Sequence, residues 1–477
     1  MTRFEPVIGL EVHCQLGTLS KLFCACANTF GAPPSTLACE TCSGQPGALP
    51  ALNGEALDLA LRAALALGCE LAERVSFDRK HYSYCDLPKG FQITQARTPL
   101  GTGGSLELSS GKHARIERLH IEEDAAKILH RGGESFVDLN RAGVPLVECV
   151  TAPEFASAAE ARDGLERLRE LLVFVGAGEC DMERGSLRCD VNVSLRAADG
   201  ALGERVEIKN LNSFVHVHDA LAHELARQRA MLEGGRAIAR ETRLWDAERG
   251  ETRPMREKEG SAEYRWLPEA DLPEFALDRA RVARLAACLP EPPASRRRRY
   301  VEELRLDREL AEVVLESPAS SDFFEAALKH SRDPRAIASW MANELRALLR
   351  ERAHGIAALE ELPFKPFDFA ELVELASSGR ASRPAARTIL REMLRSPRAP
   401  RELLRALGLE RIEEGPELDE LCQRALEARP EALADLRAGK LRALEALLGA
   451  ALALSGGRAH PDAARATLVR LVREQRP

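Results

Sequence analysis

Up to residue 290 the chain alternates apolar and polar positions in short runs, and beyond it apolar residues return every three or four positions. The first rhythm is that of a pleated strand with one buried face, the second that of a helix with an apolar stripe. Strands are predicted over Val7–Leu16, Ser105–Leu108, Ala114–Ile121, Ser135–Asn140, Leu187–Leu195 and Arg205–Lys209. Helices interrupt them: Glu55–Leu67 capped by Asn53, a stretch opened near Ser157 and reaching Val175, and His216–Glu233. Hairpin-like spacings outnumber strand-helix-strand units, so the sheet should be mainly antiparallel.

The segment Leu289-Pro-Glu-Pro-Pro293 closes this part, and Ser295 with Arg296–Arg299 opens a helix. Helical spacing then runs through Phe323–His330, Ala336–Arg352, Phe369–Ser378, Arg383–Leu394 and Lys440–Ser455, with breaks at Gly379, Pro397, Pro400 and Gly456-Gly457. The expected fold class is α+β. A large, mainly antiparallel-sheet domain should occupy 1–290, an all-helical domain 291–400 and a small helical tail 401–477.

Composition sets outer bounds. With 477 residues, 45% hydrophobic and 30% charged, the chain can bury more than one core. It starts Met1-Thr-Arg-Phe-Glu-Pro6 without a secretion signal, and nothing approaches the roughly 18 apolar residues of a membrane span, so a cytoplasmic protein is expected. A net charge of -7 argues against a wholly basic nucleic-acid coat but leaves room for a local basic face.

The cysteines add chemistry. Cys24-Ala-Cys26 and Cys39-Glu-Thr-Cys42 have the spacing of a closed, structural zinc site, while the other eight of twelve cysteines are scattered singly. That usage fits a reducing compartment better than a disulfide framework. Just upstream, Glu11 and His13 lie two apart on a predicted strand, so both project from one face and can reach one ion. Further carboxylates stand in His120-Ile-Glu122-Glu123-Asp124 and in Val144-Pro-Leu-Val-Glu148-Cys-Val150. A carboxylate buried alone is costly, and a shared divalent cation compensates it. Such oxygen-rich ligands suit magnesium or manganese better than a second zinc. Taken singly, each residue also reads as a solvated edge-strand carboxylate or a satisfied core histidine.

No familiar phosphate loop is present: Gly111-Lys112 resembles the end of one, but Leu106 and His113 replace its other key residues. The polar segments Arg188-Cys-Asp190-Val-Asn192-Val-Ser194 and Glu207-Ile-Lys209-Asn210-Leu-Asn212-Ser213 are better candidates, with an ordinary polar sheet face as the alternative. A Gly-x-Ser-x-Gly nucleophile elbow is absent, as is a Ser-Ser-Lys amidase signature, so any amide nitrogen must be released by another chain.

In chain order, Val7-Ile-Gly-Leu-Glu-Val-His13, the cysteine pairs, Gln45-Pro-Gly-Ala-Leu-Pro50, Asp86-Leu-Pro-Lys-Gly-Phe-Gln-Ile93, Ile121-Glu-Glu-Asp-Ala125, Asp138-Leu-Asn-Arg141 through Glu148, Ser186-Leu-Arg-Cys-Asp-Val-Asn192 and Glu207-Ile-Lys-Asn-Leu-Asn-Ser-Phe214 resemble the B-subunit (GatB) family of bacterial tRNA-dependent amidotransferases. Tyr264-Arg265, Leu436-Arg-Ala-Gly-Lys440 and Gly456-Gly-Arg-Ala-His-Pro461 extend the resemblance into the tail. It implies a cradle-like catalytic domain within a three-chain enzyme. A glutaminase A subunit releases ammonia, a small C subunit ties the other two together, and the B-type chain uses ATP and magnesium. Its substrates would be misacylated tRNA(Gln), tRNA(Asn) or both, whose side-chain carboxylate is phosphorylated and then amidated.

By the same resemblance Glu11, His13, Glu123 and Glu148 would hold magnesium, with Glu122 competing for the third place. Lys80 would line the ammonia path, Asp190, Asn192 and Lys209 would face ATP or the acceptor end, and Lys440, Arg458 and His460 would meet tRNA in preference to Arg296–Arg299. The resemblance also implies that zinc at Cys24, Cys26, Cys39 and Cys42 is structural. Two stretches depart from the family pattern, His81-Tyr-Ser-Tyr-Cys-Asp86 and Trp266-Leu267. A competing reading is a noncatalytic zinc-knuckle tRNA-binding protein, which would have no use for converging carboxylates.

Overall fold

The computed structural model describes residues 4–257, 264–351, 359 and 361–474. The chain divides into two compact units, Met1–Ala294 and Ser295–Pro477.

The first unit is built on a ten-stranded sheet. Glu5–Gln15 lies at its centre, flanked by antiparallel Pro145–Thr151 and Leu187–Arg196. Outside these lie His113–Glu123, antiparallel to Pro145–Thr151, and Val206–Leu211, antiparallel to Leu187–Arg196. The polar runs Glu241–Asp246 and Glu251–Glu257, not foreseen as strands, extend the far edge, and Glu241–Asp246 runs parallel to Val206–Leu211. The predicted α+β class, mainly antiparallel, is the observed one.

Period-two alternation sorts the side chains of the central strand. Ile8, Leu10, Val12 and Cys14 are buried on one face together with Val147, Cys149, Val191, Val193, Leu119 and Ile121 from neighbouring strands. Helices Gly54–Ala66, Ala158–Phe174 and Phe214–Glu233 contribute Leu57, Leu61, Leu165, Leu168 and Leu221 to the same core. Their starts are fixed by Asn53, Ser157 and Ser213, whose side chains accept hydrogen bonds from backbone N–H groups of the first turn. With that face closed by hydrocarbon, the opposite face, which carries Glu11 and His13, is left to polar side chains.

The second unit is helical, and prolines open most of its helices, at Pro318, Pro334, Pro366, Pro400, Pro416, Pro430 and Pro461. Ile412, Leu418, Leu426, Leu447 and Leu468 belong to a separate apolar cluster in its last part. The helix expected over Ala336–Arg352 is instead interrupted: Pro334–Trp340 passes into a wide π turn, Met341–Leu345, before Arg346–Glu351. That turn carries buried Glu344, which accepts hydrogen bonds from Arg383 and Arg387. Arg352 lies outside the described residues, as do residues 475–477 of the expected tail. In the four-arginine run, Arg296, Arg297 and Arg299 pair with Asp322, Glu312 and Glu325 of neighbouring helices. Among the described residues no helix is long and apolar enough to cross a membrane.

Gly164 offers a test of how tightly helix and sheet are packed. A methyl group there would stand 2.5 Å from Cε1 of buried Phe155. Alanine gains about 1 kcal/mol in helix propensity over glycine, whereas overpacking costs about 1–3 kcal/mol. Gly164→Ala should therefore lower the urea midpoint; an increase would mean that the contact is loose.

Candidate metal centre and polar sheet face

Strand pairing gathers the polar side chains. His13 lies opposite Glu148, Glu148 opposite His120, Glu122 opposite Leu146, and Glu11 opposite Asp190. Residues facing each other across antiparallel strands project from the same side. The three strands thus carry Glu11, His13, His120, Glu122 and Glu148 on one face. His13 Nε2 is 3.2 Å from Glu148 Oε2 and 3.4 Å from Glu122 Oε1. His120 Nε2 is 3.2 Å from the same Glu148 oxygen and 3.6 Å from Glu122 Oε2. Potential ligand atoms of Glu11, His13 and Glu148 all lie within 4.8 Å of one another, as do those of His120, Glu122 and Glu148.

Charge in this cluster is tightly balanced. Burial favours neutral imidazoles, but the hydrogen bond and charge of Glu148, with the charge of Glu122, raise His13 to about 9. Burial acts likewise on His120, and Glu148 and Glu122 again prevail, raising it to about 9. Burial pushes Glu148 upward, yet His120 and His13 hold it well below the usual carboxylate range. Glu122 is lowered too, against burial and the charge of Glu148. Glu11 is raised, first by burial and then by Glu148. Two imidazolium groups thus occupy the electrostatic role that a divalent cation would fill. Three carboxylates and an imidazole on one face fit a hard cation, and its binding requires the imidazole ligand to lose its proton.

Glu123, expected among the ligands, lies outside this cluster. It follows Glu122 directly on the strand, so alternation turns its side chain to the opposite face. There its carboxylate pairs with Lys89 and accepts a 2.9 Å hydrogen bond from the Ile93 backbone N–H. The alternative, Glu122, takes the place beside His13. His120 was not singled out from the sequence, although His120-x-Glu122 repeats the two-residue spacing of Glu11-x-His13.

The polar face continues onto the next strands. Asp190 contacts the ammonium of Lys209, which Asp190 and Glu207 keep charged in spite of burial. Asn192 Oδ1 is buried without a hydrogen-bond partner among the described residues. Arg188 reaches Asp124 at 2.8 Å. Lys80 lies elsewhere, on the small sheet formed by Asp78–His81, Phe91–Thr94 and Leu267–Pro268. Its Nζ stands 4.8 Å above the ring of Tyr264, which meets Tyr82 and Trp266 edge-on. The two departures noted above, around Tyr82 and at Trp266, therefore meet in one aromatic group.

The four knuckle cysteines converge, their Sγ atoms all within 4.8 Å of one another. A tetrahedron with 2.3 Å zinc-sulfur bonds has edges of about 3.8 Å, and the Cys39 and Cys42 sulfurs are 3.9 Å apart. The donor set and its spacing fit zinc. None of the twelve cysteines is in a disulfide.

A family model described as the GatB/GatE catalytic domain matches residues 6–283, and another described as the GatB domain matches 322–471. The chain belongs to the GatB family. The B subunit of the aspartyl/glutamyl-tRNA(Asn/Gln) amidotransferase of Carboxydothermus hydrogenoformans is 42% identical over 472 residues, 97% of this chain and 98% of that protein. Proteins of the same name are similar at 41% in Thermosynechococcus vestitus, over 98% of this chain and 96% of theirs, and at 40% in Persephonella marina, over 98% and 100%. The GatB/GatE match contains every residue of the polar face and the knuckle, and the second match falls within the helical unit.

For this GatB-family cluster the imidazole charges give a signed prediction. His13 is protonated below about 9 when no cation is bound. A cation that takes this nitrogen must displace the proton, so manganese affinity should weaken as pH falls, up to tenfold per unit below 9. Calorimetry in buffers of different ionisation enthalpy should show about one proton released per ion; binding independent of pH from 7 to 9 would remove His13 from the ligands.

Proposed function

We propose that this chain is the kinase and transamidase half of a three-chain tRNA-dependent amidotransferase. ATP phosphorylates the side-chain carboxylate of glutamate on tRNA(Gln), aspartate on tRNA(Asn), or both, and ammonia then displaces the phosphate. A free carboxylate is a poor acyl donor because its leaving group would be oxide; the acyl phosphate replaces it with a good one. The reading is supported above all by the convergence of Glu11, His13, Glu122 and Glu148 on one face of the sheet. A pure binding module has no use for such crowding of acids.

Glu11, His13, Glu122 and Glu148 would hold magnesium, which when bound supplies positive charge against the phosphates. Asp190 aims the Lys209 ammonium, and Lys209 would bind phosphate or acceptor-end oxygens at the neighbouring strand. The unpartnered Asn192 carbonyl oxygen is suited to accept a donor from ATP or the acceptor end. Lys80, whose Nζ lies over the ring of Tyr264, would line the route of ammonia from the glutaminase A subunit, and the small C subunit would join that glutaminase to this chain. Zinc at Cys24, Cys26, Cys39 and Cys42 would be structural. The tail, 401–477, would contact tRNA through exposed groups such as Lys440, whose partner Asp435 it would exchange for phosphate. The cytoplasm is the compartment that suits this work and the unbridged cysteines.

The test is made in the assembled complex. Glu148→Gln and Glu11→Gln should each reduce glutaminyl-tRNA formation by at least about a hundredfold. Free ammonium should not rescue them, and glutamine hydrolysis should persist. Formation at the wild-type rate by both variants would contradict the assignment.

A further inference from the structure

Lys21 is completely buried, which for a lysine demands an anion or a neutral amine. Among the described residues no carboxylate lies in ion-pair range of it. Its Nζ donates to the carbonyl oxygens of Leu37, at 2.7 Å, and Leu139, at 3.2 Å, and its remaining neighbour is Cys42 Sγ, at 3.6 Å. The Cys39 backbone N–H donates to the same sulfur at 3.2 Å. Carbonyl oxygens satisfy the geometry of an ammonium but do not neutralise it. The available anion is the sulfur of Cys42 as a thiolate.

We propose that Lys21 is a positioning residue of the knuckle: its ammonium pairs with the Cys42 thiolate and sets how firmly the four sulfurs retain zinc. The inference rests on the reading of Cys24, Cys26, Cys39 and Cys42 as a zinc site. Zinc with four thiolates carries a net charge of about -2, and a buried cation at one sulfur offsets part of it. Metal sites lose affinity when such outer partners are removed, by about 10–100-fold in typical cases.

The same ammonium fastens the knuckle to the strand of Glu148. Leu139 precedes that strand, the Leu22 N–H donates to the Gly143 carbonyl at 2.9 Å, and a Cβ on Gly143 would lie 3.3 Å from Cys42 Cβ. One side chain therefore joins the sulfur cluster to the chain entering the polar face.

The test uses the full-length chain. Zinc content of the wild-type protein is measured first, and a protein without zinc would overturn the zinc reading itself. Zinc transfer to a chromogenic chelator is then timed for wild type and Lys21→Met, with an expected acceleration of at least about tenfold. Cobalt substitution should retain the sulfur-to-metal charge-transfer band, showing that the four ligands remain. Urea midpoints, with and without zinc, separate positioning from simple anchoring: Lys21→Met should be destabilising with zinc and neutral or stabilising without it. Unchanged zinc transfer, or an equal loss of stability in both states, would overturn the proposal. If Lys21→Met does not fold, Lys21→Gln, which keeps a donor for the carbonyls and drops the charge, carries the same two readings.

Discussion

Everything on the working face follows from the cost of placing several carboxylates together on a closed sheet. One side of the central strand is sealed by apolar side chains and three helices, so Glu11, Glu122 and Glu148 have only the other side. Like charges at such separations raise each other's proton affinity. Here Glu11 carries the rise while Glu148 and Glu122 are kept ionised by His13 and His120. The fold thus holds a set of acids whose charge is met by imidazoles that Glu148 and Glu122 favour in the protonated form, and under the proposed function a metal cation would take over that role.

Period-two alternation made much of this visible in the sequence. Val7–Leu16 reads as a strand because its apolar residues fall on every second position, and the pairing of Glu11 with His13 follows from the same rule. What the rule cannot supply alone is register. Glu122 and Glu123 are adjacent carboxylates, and only the pairing of their strand with Pro145–Thr151 decides which faces Glu148. His120 escaped notice for the same reason, since its role depends on a partner 28 positions later in the chain. The last two strands at the far end of the sheet, Glu241–Asp246 and Glu251–Glu257, are polar enough to read as loop, and the pairing of Glu241–Asp246 with Val206–Leu211 is again non-local. In the helical unit, spacing located the helices but missed the π turn, whose buried Glu344 meets Arg383 and Arg387 from a helix later in the chain, a contact no local spacing shows.

The cysteine knuckle is the loudest local signal in the chain, yet its sulfur donor set is complete without the carboxylates. Its connection to the polar face runs through Lys21, Gly143 and the residues that precede Glu148. A spacing motif reveals four thiols; it does not reveal the buried cation beside them, because lysine at position 21 carries no pattern that distinguishes it from a surface residue.

The central claim is that Glu11, His13, Glu122 and Glu148 hold one divalent cation. Anomalous diffraction from crystals grown with manganese tests it most directly. The account predicts a peak in direct contact with the carboxylates of Glu11, Glu122 and Glu148 and with Nε2 of His13. No peak there at saturating manganese, with His13 and His120 still bonded to Glu148, would contradict it.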